Sequence, residues 1–156
     1  MTTKAASLRV SRTIRASAER LFDAWTDVRL LRNWWWLDEG GWSFADASLD
    51  LRPGGAYRLA MRSPTGETHA AVGVYREVIH PSRLVFTWDW ENEANRVGPT
   101  VVTVEFKELG GGLTEVTITH EQFREPARAR RHEEGWSSLL RQLDRVLDEA
   151  ENHSTR

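Results

Sequence analysis

The sequence contains no cysteine, so its fold has no disulfide to rely on and its chemistry has no thiolate nucleophile or thiolate metal ligand. It has no surplus of one charge either: 21 lysines and arginines stand against 23 aspartates and glutamates, for a formal net charge of −2. That balance gives no electrostatic footprint for nucleic acid or an anionic membrane, and neither is expected as a partner. No run approaches the ~20 apolar residues needed to span a bilayer, and residues 1–10 lack an apolar signal core. A cytoplasmic location is therefore expected.

Reaction motifs are missing as well. His120-Glu121 would need a second histidine four residues after the first to place two imidazoles on one helical face, and Arg124 stands there. His69, His80, His120, His132 and His153 show no ligand spacing, so no metal is expected. Gly110-Gly111-Gly112 follows a strand pattern without opening a helix, which makes it a hairpin turn rather than a phosphate cradle, and no Gly-x-Ser-x-Gly elbow occurs. No cofactor is expected.

What the chain has in excess is tryptophan, eight in 156 residues, with Trp34, Trp35 and Trp36 consecutive and Trp88 and Trp90 at one parity. Each indole brings a large apolar area with one N–H donor, so a small domain holding this many is expected to enclose something as well as fill its core. At most two of the three consecutive rings can point inward.

The periodicity supplies the frame. Leu8, Val10, Arg12 and Ile14 alternate with polar residues as a first strand. Ser17 is placed to cap a helix over about residues 18–25, and Asp27 a second short helix carrying Leu30, Leu31 and Trp34. Alternation returns at about residues 44–51, with Ala47, Leu49 and Leu51 on one face, and again through Tyr57, Leu59 and Met61. Further strands follow at 69–78, through Leu84, Phe86, Trp88 and Trp90, through Val102, Val104 and Phe106, and through Val116, Ile118 and His120. Asp50 and Arg58, on neighbouring strands, suggest a cross-strand surface ion pair.

After Pro126 the period becomes 3.6, with Trp136, Leu139, Leu140, Leu143, Val146 and Leu147 as one apolar stripe. Gly135 in that helix costs about 1 kcal/mol relative to alanine, which implies close approach by the sheet or room for a ligand. The expected fold is α+β: a curved antiparallel sheet of about seven strands around a long C-terminal helix, with two short helices after strand one. One domain over 1–156, with a core at about 7–150, fits the length.

Several segments together resemble a known family. They are residues 18–27 with the following Trp34-Trp35, Asp50-Leu51-Arg52-Pro53-Gly54-Gly55-Ala56-Tyr57, residues 73–78, residues 83–88, Thr119-His120-Glu121-Gln122-Phe123 and His132-Glu133-Glu134-Gly135-Trp136. They are similar to homologues of the C-terminal domain of the heat-shock-protein-90 ATPase activator, within the START and Bet v 1-like (SRPBCC) superfamily. The resemblance implies a helix-grip fold whose cavity accepts an apolar or amphipathic small molecule. It implies no reaction, because relatives on this fold include carriers, sensors, cyclases and resistance proteins. The full co-chaperone has a further N-terminal domain that engages its chaperone, and this chain starts within a few residues of strand one, so chaperone activation is not expected.

The leading expectation is a non-catalytic binding protein holding an apolar or aromatic molecule between helix and sheet. Trp36, Met61, Trp88, Trp90 and Trp136 are its expected wall, with His120 as the polar group that orients the ligand. One alternative is a cyclase- or hydrolase-type enzyme using the same cavity with His120 or His132 as the titrating group. Another is an interaction module, as a homodimer or a chaperone-associated domain, using exposed tryptophans.

Overall fold

The computed structural model describes residues 6–154, with side chains through residue 150. Strand β1 (Ala6–Ile14) leads into α1 (Ala18–Thr26) and α2 (Val28–Leu31). Ser17 sits in extended backbone and its hydroxyl accepts the Arg20 N–H at 3.1 Å, so α1 starts at its expected cap. Asp27 ends α1 and caps α2, accepting the Arg29 N–H at 2.9 Å.

Strands β2 (Ser43–Leu49), β3 (Ala56–Arg62), β4 (Thr68–Ile79), β5 (Arg83–Trp90), β6 (Thr100–Gly110) and β7 (Leu113–Phe123) follow, and α3 (Pro126–Ser154) ends the fold. All pairings are antiparallel, in the order β1-β7-β6-β5-β4-β3-β2. The curved sheet grips α3, as an amphipathic helix needs an apolar surface to cover its stripe.

Alternation decides the inner face. Met61, Leu59 and Tyr57 lie directly across from His69, Ala71 and Gly73, so these six positions share one side of the sheet. Leu84, Phe86 and Trp88 of β5, Val102, Val104 and Phe106 of β6, and Val116, Ile118 and His120 of β7 are all buried. Ala129, Trp136, Leu139, Leu140 and Leu143 of α3 close over them.

The middle of the grip is filled with indoles. Trp25 lies nearly parallel to Trp136, with ring centroids 5.9 Å apart, and meets Trp34 edge-on at 5.0 Å; Trp88 approaches Trp136 to 4.9 Å. Trp34 and Trp35 are both directed inward because the chain tightens after α2: both their N–H groups reach the Leu31 carbonyl, at 3.1 and 2.9 Å. The Trp34 indole N–H donates to the Ala24 carbonyl at 3.0 Å. Trp36 is left half-buried, and none of the eight tryptophans is exposed.

Two local expectations change. A bulge between Phe44 and Asp46 resets the phase of β2, so Phe44, Ala47 and Leu49 pack on the core while Leu51, beyond the strand, is exposed. Arg58 faces Ser48 rather than Asp50, and its guanidinium pairs with Asp46 on the diagonal and with Glu91; Asp50 instead pairs with Arg52. No helix among the described residues is long and apolar enough to cross a membrane.

Candidate functional site

Beside the indole cluster the grip is not filled. A cavity of about 440 Å³ remains between α3 and the inner face of β3, β4 and β5, within the range of small-molecule sites. Met61 from β3, Trp88 and Trp90 from β5, and Trp136 and Leu139 from α3 supply apolar walls. Leu37 and Trp42, from the segment between α2 and β2, close one side; His69 from β4 rests its imidazole 5.5 Å from the Trp42 ring. Arg128, Arg131 and His132 from the first turns of α3, with Asn95 opposite, give the other end its polarity.

Gly135 lies in the wall between His132 and Trp136, and a Cβ built there meets no atom within 4 Å. The glycine thus leaves space over the cavity and allows no close helix-sheet contact. Because its backbone is helical, Gly135→Ala is expected to raise stability by about 1 kcal/mol in urea unfolding, with the added methyl directed into the void. Unchanged or lowered stability would show that this turn of α3 is held by something other than helix propensity.

Two imidazoles sit at this end of the fold and their hydrogen bonds assign their protons. Thr100 donates its hydroxyl proton to the Trp88 carbonyl at 2.7 Å, so it can only accept from His120 Nε2, also at 2.7 Å. His120 is thereby the Nε2–H tautomer, and its Nδ1 accepts the Trp136 indole N–H at 3.0 Å. The ring is completely buried, against Phe123 at 4.3 Å and His132 at 5.3 Å, and burial pushes its pKa down to about 2, with His132 adding to the fall.

His132 is the opposite tautomer. Its Nδ1–H donates to the Arg128 carbonyl at 2.8 Å and its Nε2 accepts the Trp90 indole N–H at 3.0 Å. Burial lowers its pKa as well. Both rings are neutral supports that orient tryptophans: His120 holds Trp136, and His132 holds Trp90.

The family model described as activator of Hsp90 ATPase homolog 1-like protein matches residues 15–148. The chain belongs to this family. The AHSA1 protein from Silicibacter pomeroyi shares the fold at a TM-score of 0.78 and 27% identity, over 92% of this chain and 98% of that one. A protein from Nitrosomonas europaea aligns at a TM-score of 0.76 and 26% identity, over 94% of this chain and 96% of that one. An HSP90 activator from Plasmodium falciparum aligns at 0.68 and 25%, over 91% and 96%. No curated protein matches the sequence.

In this Hsp90-activator-like chain, Met61, Trp88, Trp90 and Trp136 come together around the cavity, whereas Trp36 and His120 do not reach its lining. Trp36 is packed at the margin of the core, after a turn in which its N–H bonds the Trp34 carbonyl at 2.8 Å. His120 lies beneath the wall, with both nitrogens already engaged. Sequence reading did not place Trp42, His69, Asn95, Arg128 or Arg131 in the site. The helical ones had a signal: Arg128, Arg131, His132, Gly135, Trp136 and Leu139 follow i, i+3, i+4, i+7, i+8, i+11, the same face carried back two turns before Trp136. Trp42 and His69 had none, since a connecting segment and a strand end acquire a shared wall only through folding.

Proposed function

We propose that the cavity binds an apolar or aromatic small molecule and that the protein acts as a binding protein rather than a catalyst. The observation that carries this reading is an aromatic-walled void beside a helix glycine whose missing side chain keeps it open. Support for a non-catalytic role comes from the imidazoles: His120 and His132 each spend both nitrogens on the fold, leaving neither a lone pair nor a proton for substrate. Cytoplasmic residence and a single START-like domain over the whole chain belong to the same proposal.

The test is titration of intrinsic tryptophan fluorescence, with matched thermal shifts, across fatty acids, flavonoids and polycyclic aromatics. Trp42, Trp88, Trp90 and Trp136 line the void, so a ligand there is expected to change emission saturably and to raise the melting temperature by mass action. Gly135→Phe, which fills the void from α3, is expected to remove both responses while leaving the protein folded. Absence of any saturable response in the wild-type protein would overturn the reading.

A further inference from the structure

The cavity is not uniformly apolar, and its polarity is organised along α3. Arg128, Arg131 and His132 line its start and Trp136 and Leu139 its end, about three turns of helix or roughly 17 Å at 1.5 Å per residue. No carboxylate belongs to the lining; its permanent charges are two guanidinium groups. The first turns of α3 also carry the positive end of the helix dipole, which favours negative charge at this mouth.

The two arginines are not equivalent. Arg128 is engaged by the Glu125 carboxylate at 3.1 Å and donates to the Asn95 carbonyl at 3.4 Å. Arg131 has neither an ion pair nor a hydrogen bond among the described residues. The nearest acidic neighbours in sequence, Glu133 and Glu134, face a different recess, which they share with Arg9 and Arg141. An unpaired guanidinium at the mouth of an aromatic-walled void has its donor fork available for a planar or trigonal anion.

Resting on the reading of this cavity as a ligand site, we propose that its ligand is an amphipathic anion, with an aromatic or apolar body against Trp88, Trp90 and Trp136 and one carboxylate or sulfonate paired with Arg131. A neutral body of the same shape would use the walls and leave the Arg131 fork to water. The anionic group adds a charge-assisted pair at an exposed guanidinium, where added salt screens it.

A matched pair of dyes separates these contributions: anilinonaphthalene sulfonate and the neutral N-phenylnaphthylamine share one aromatic frame and differ in the sulfonate. In fluorescence titrations the sulfonate is expected to bind the wild-type protein about tenfold more tightly than the neutral dye, a margin that shrinks as sodium chloride is raised. Arg131→Gln is expected to remove about that tenfold for the sulfonate and to leave the neutral dye within about twofold. Lys107→Gln, an equal loss of charge on an exposed stretch of β6, is expected to change neither. Equal affinities for the two dyes, or an equal effect of Arg131→Gln and Lys107→Gln, would overturn the anion assignment while leaving the cavity as a site. Failure of both dyes to saturate, or saturation that survives Gly135→Phe, would instead remove the cavity reading on which the assignment stands.

Discussion

Acidification from pH 6.5 to about pH 4.5 is expected to lower the unfolding free energy by about 2 kcal/mol through His120 alone. In the unfolded chain this imidazole takes up a proton as the pH falls through its ordinary value of 6.5; in the fold it does so only at about 2. Between those values the unfolded state holds more protons, so stability is fully present above 6.5 and is lost as the pH falls, at about 1.4 kcal/mol per pH unit. The physical cause is burial together with the proton inventory of the ring. A second proton on Nδ1 would confront the Trp136 indole N–H, donor against donor, with Thr100 already accepting the other.

His132 is shifted in the same direction, so its share adds to the slope. The measurement is urea unfolding at half-unit steps between pH 7 and about pH 4.5, above the range where most carboxylates protonate. His120→Gln keeps an amide donor and acceptor in place of the ring but does not titrate, and is expected to flatten the slope by about one proton's worth. A wild-type profile that is level across this window would mean that His120 accepts a proton inside the fold, and the tautomer assignment would fail with it.

Gly73→Ala is expected to cost about 3 kcal/mol or more, a large effect for a single methyl. Strands β4 and β5 are paired at Val72 with Asp89 and again, in the same register, at Tyr75 with Phe86; the register shifts only between Tyr75 and Glu77. The Val74 N–H bonds the Thr87 hydroxyl at 2.9 Å, and the Thr87 carbonyl accepts the Tyr57 phenol from the next strand but one. Here β4 approaches so closely that a Cβ on Gly73 would stand 2.0 Å from the Thr87 carbonyl oxygen and 2.7 Å from its carbon. Both are backbone atoms in the middle of a sheet, which cannot swing aside as the end of a side chain can.

Gly40→Ala is the matched control, because a Cβ there meets nothing within 4 Å and its backbone demands no glycine. It is expected to stay within about 0.5 kcal/mol of the wild type. Urea midpoints for the two variants decide the matter. A Gly73→Ala protein within about 1 kcal/mol of wild type would show that β4 and β5 separate readily at Thr87.

The resemblance to the Hsp90-activator family, the element order and the inner faces of most strands were legible because they are one-dimensional properties. A period of two assigns Tyr57, Leu59 and Met61, or Leu84, Phe86 and Trp88, to a common side whatever the sheet packs against. Ser17 and Asp27 cap their helices through backbone groups two or three residues away, so those boundaries were legible too. Gly135 was visible as a helix residue that costs stability without a local reason, and Trp88, Trp90 and Trp136 as large rings on inner faces.

Tertiary structure decided what those rings touch. Parity put His120 on the inner face with Val116 and Ile118, but only the fold could place Thr100 and Trp136 on its two nitrogens and Phe123 over its ring, turning an expected ligand contact into a buried support. The tight turn after Leu31 sent Trp34 and Trp35 into the core and left Trp36 at its margin, against an expectation that the last of the three would form wall. The bulge at Phe44 brought that ring onto the face of Ala47 and Leu49, where strict alternation would have put it on the other side. Sequence periodicity determines which side of an element is apolar, because that depends on neighbours a few residues away. A void depends on how side-chain volumes from several elements fail to fill the space between them, and that sum exists only when β3, β4, β5, the segment before β2 and α3 have met.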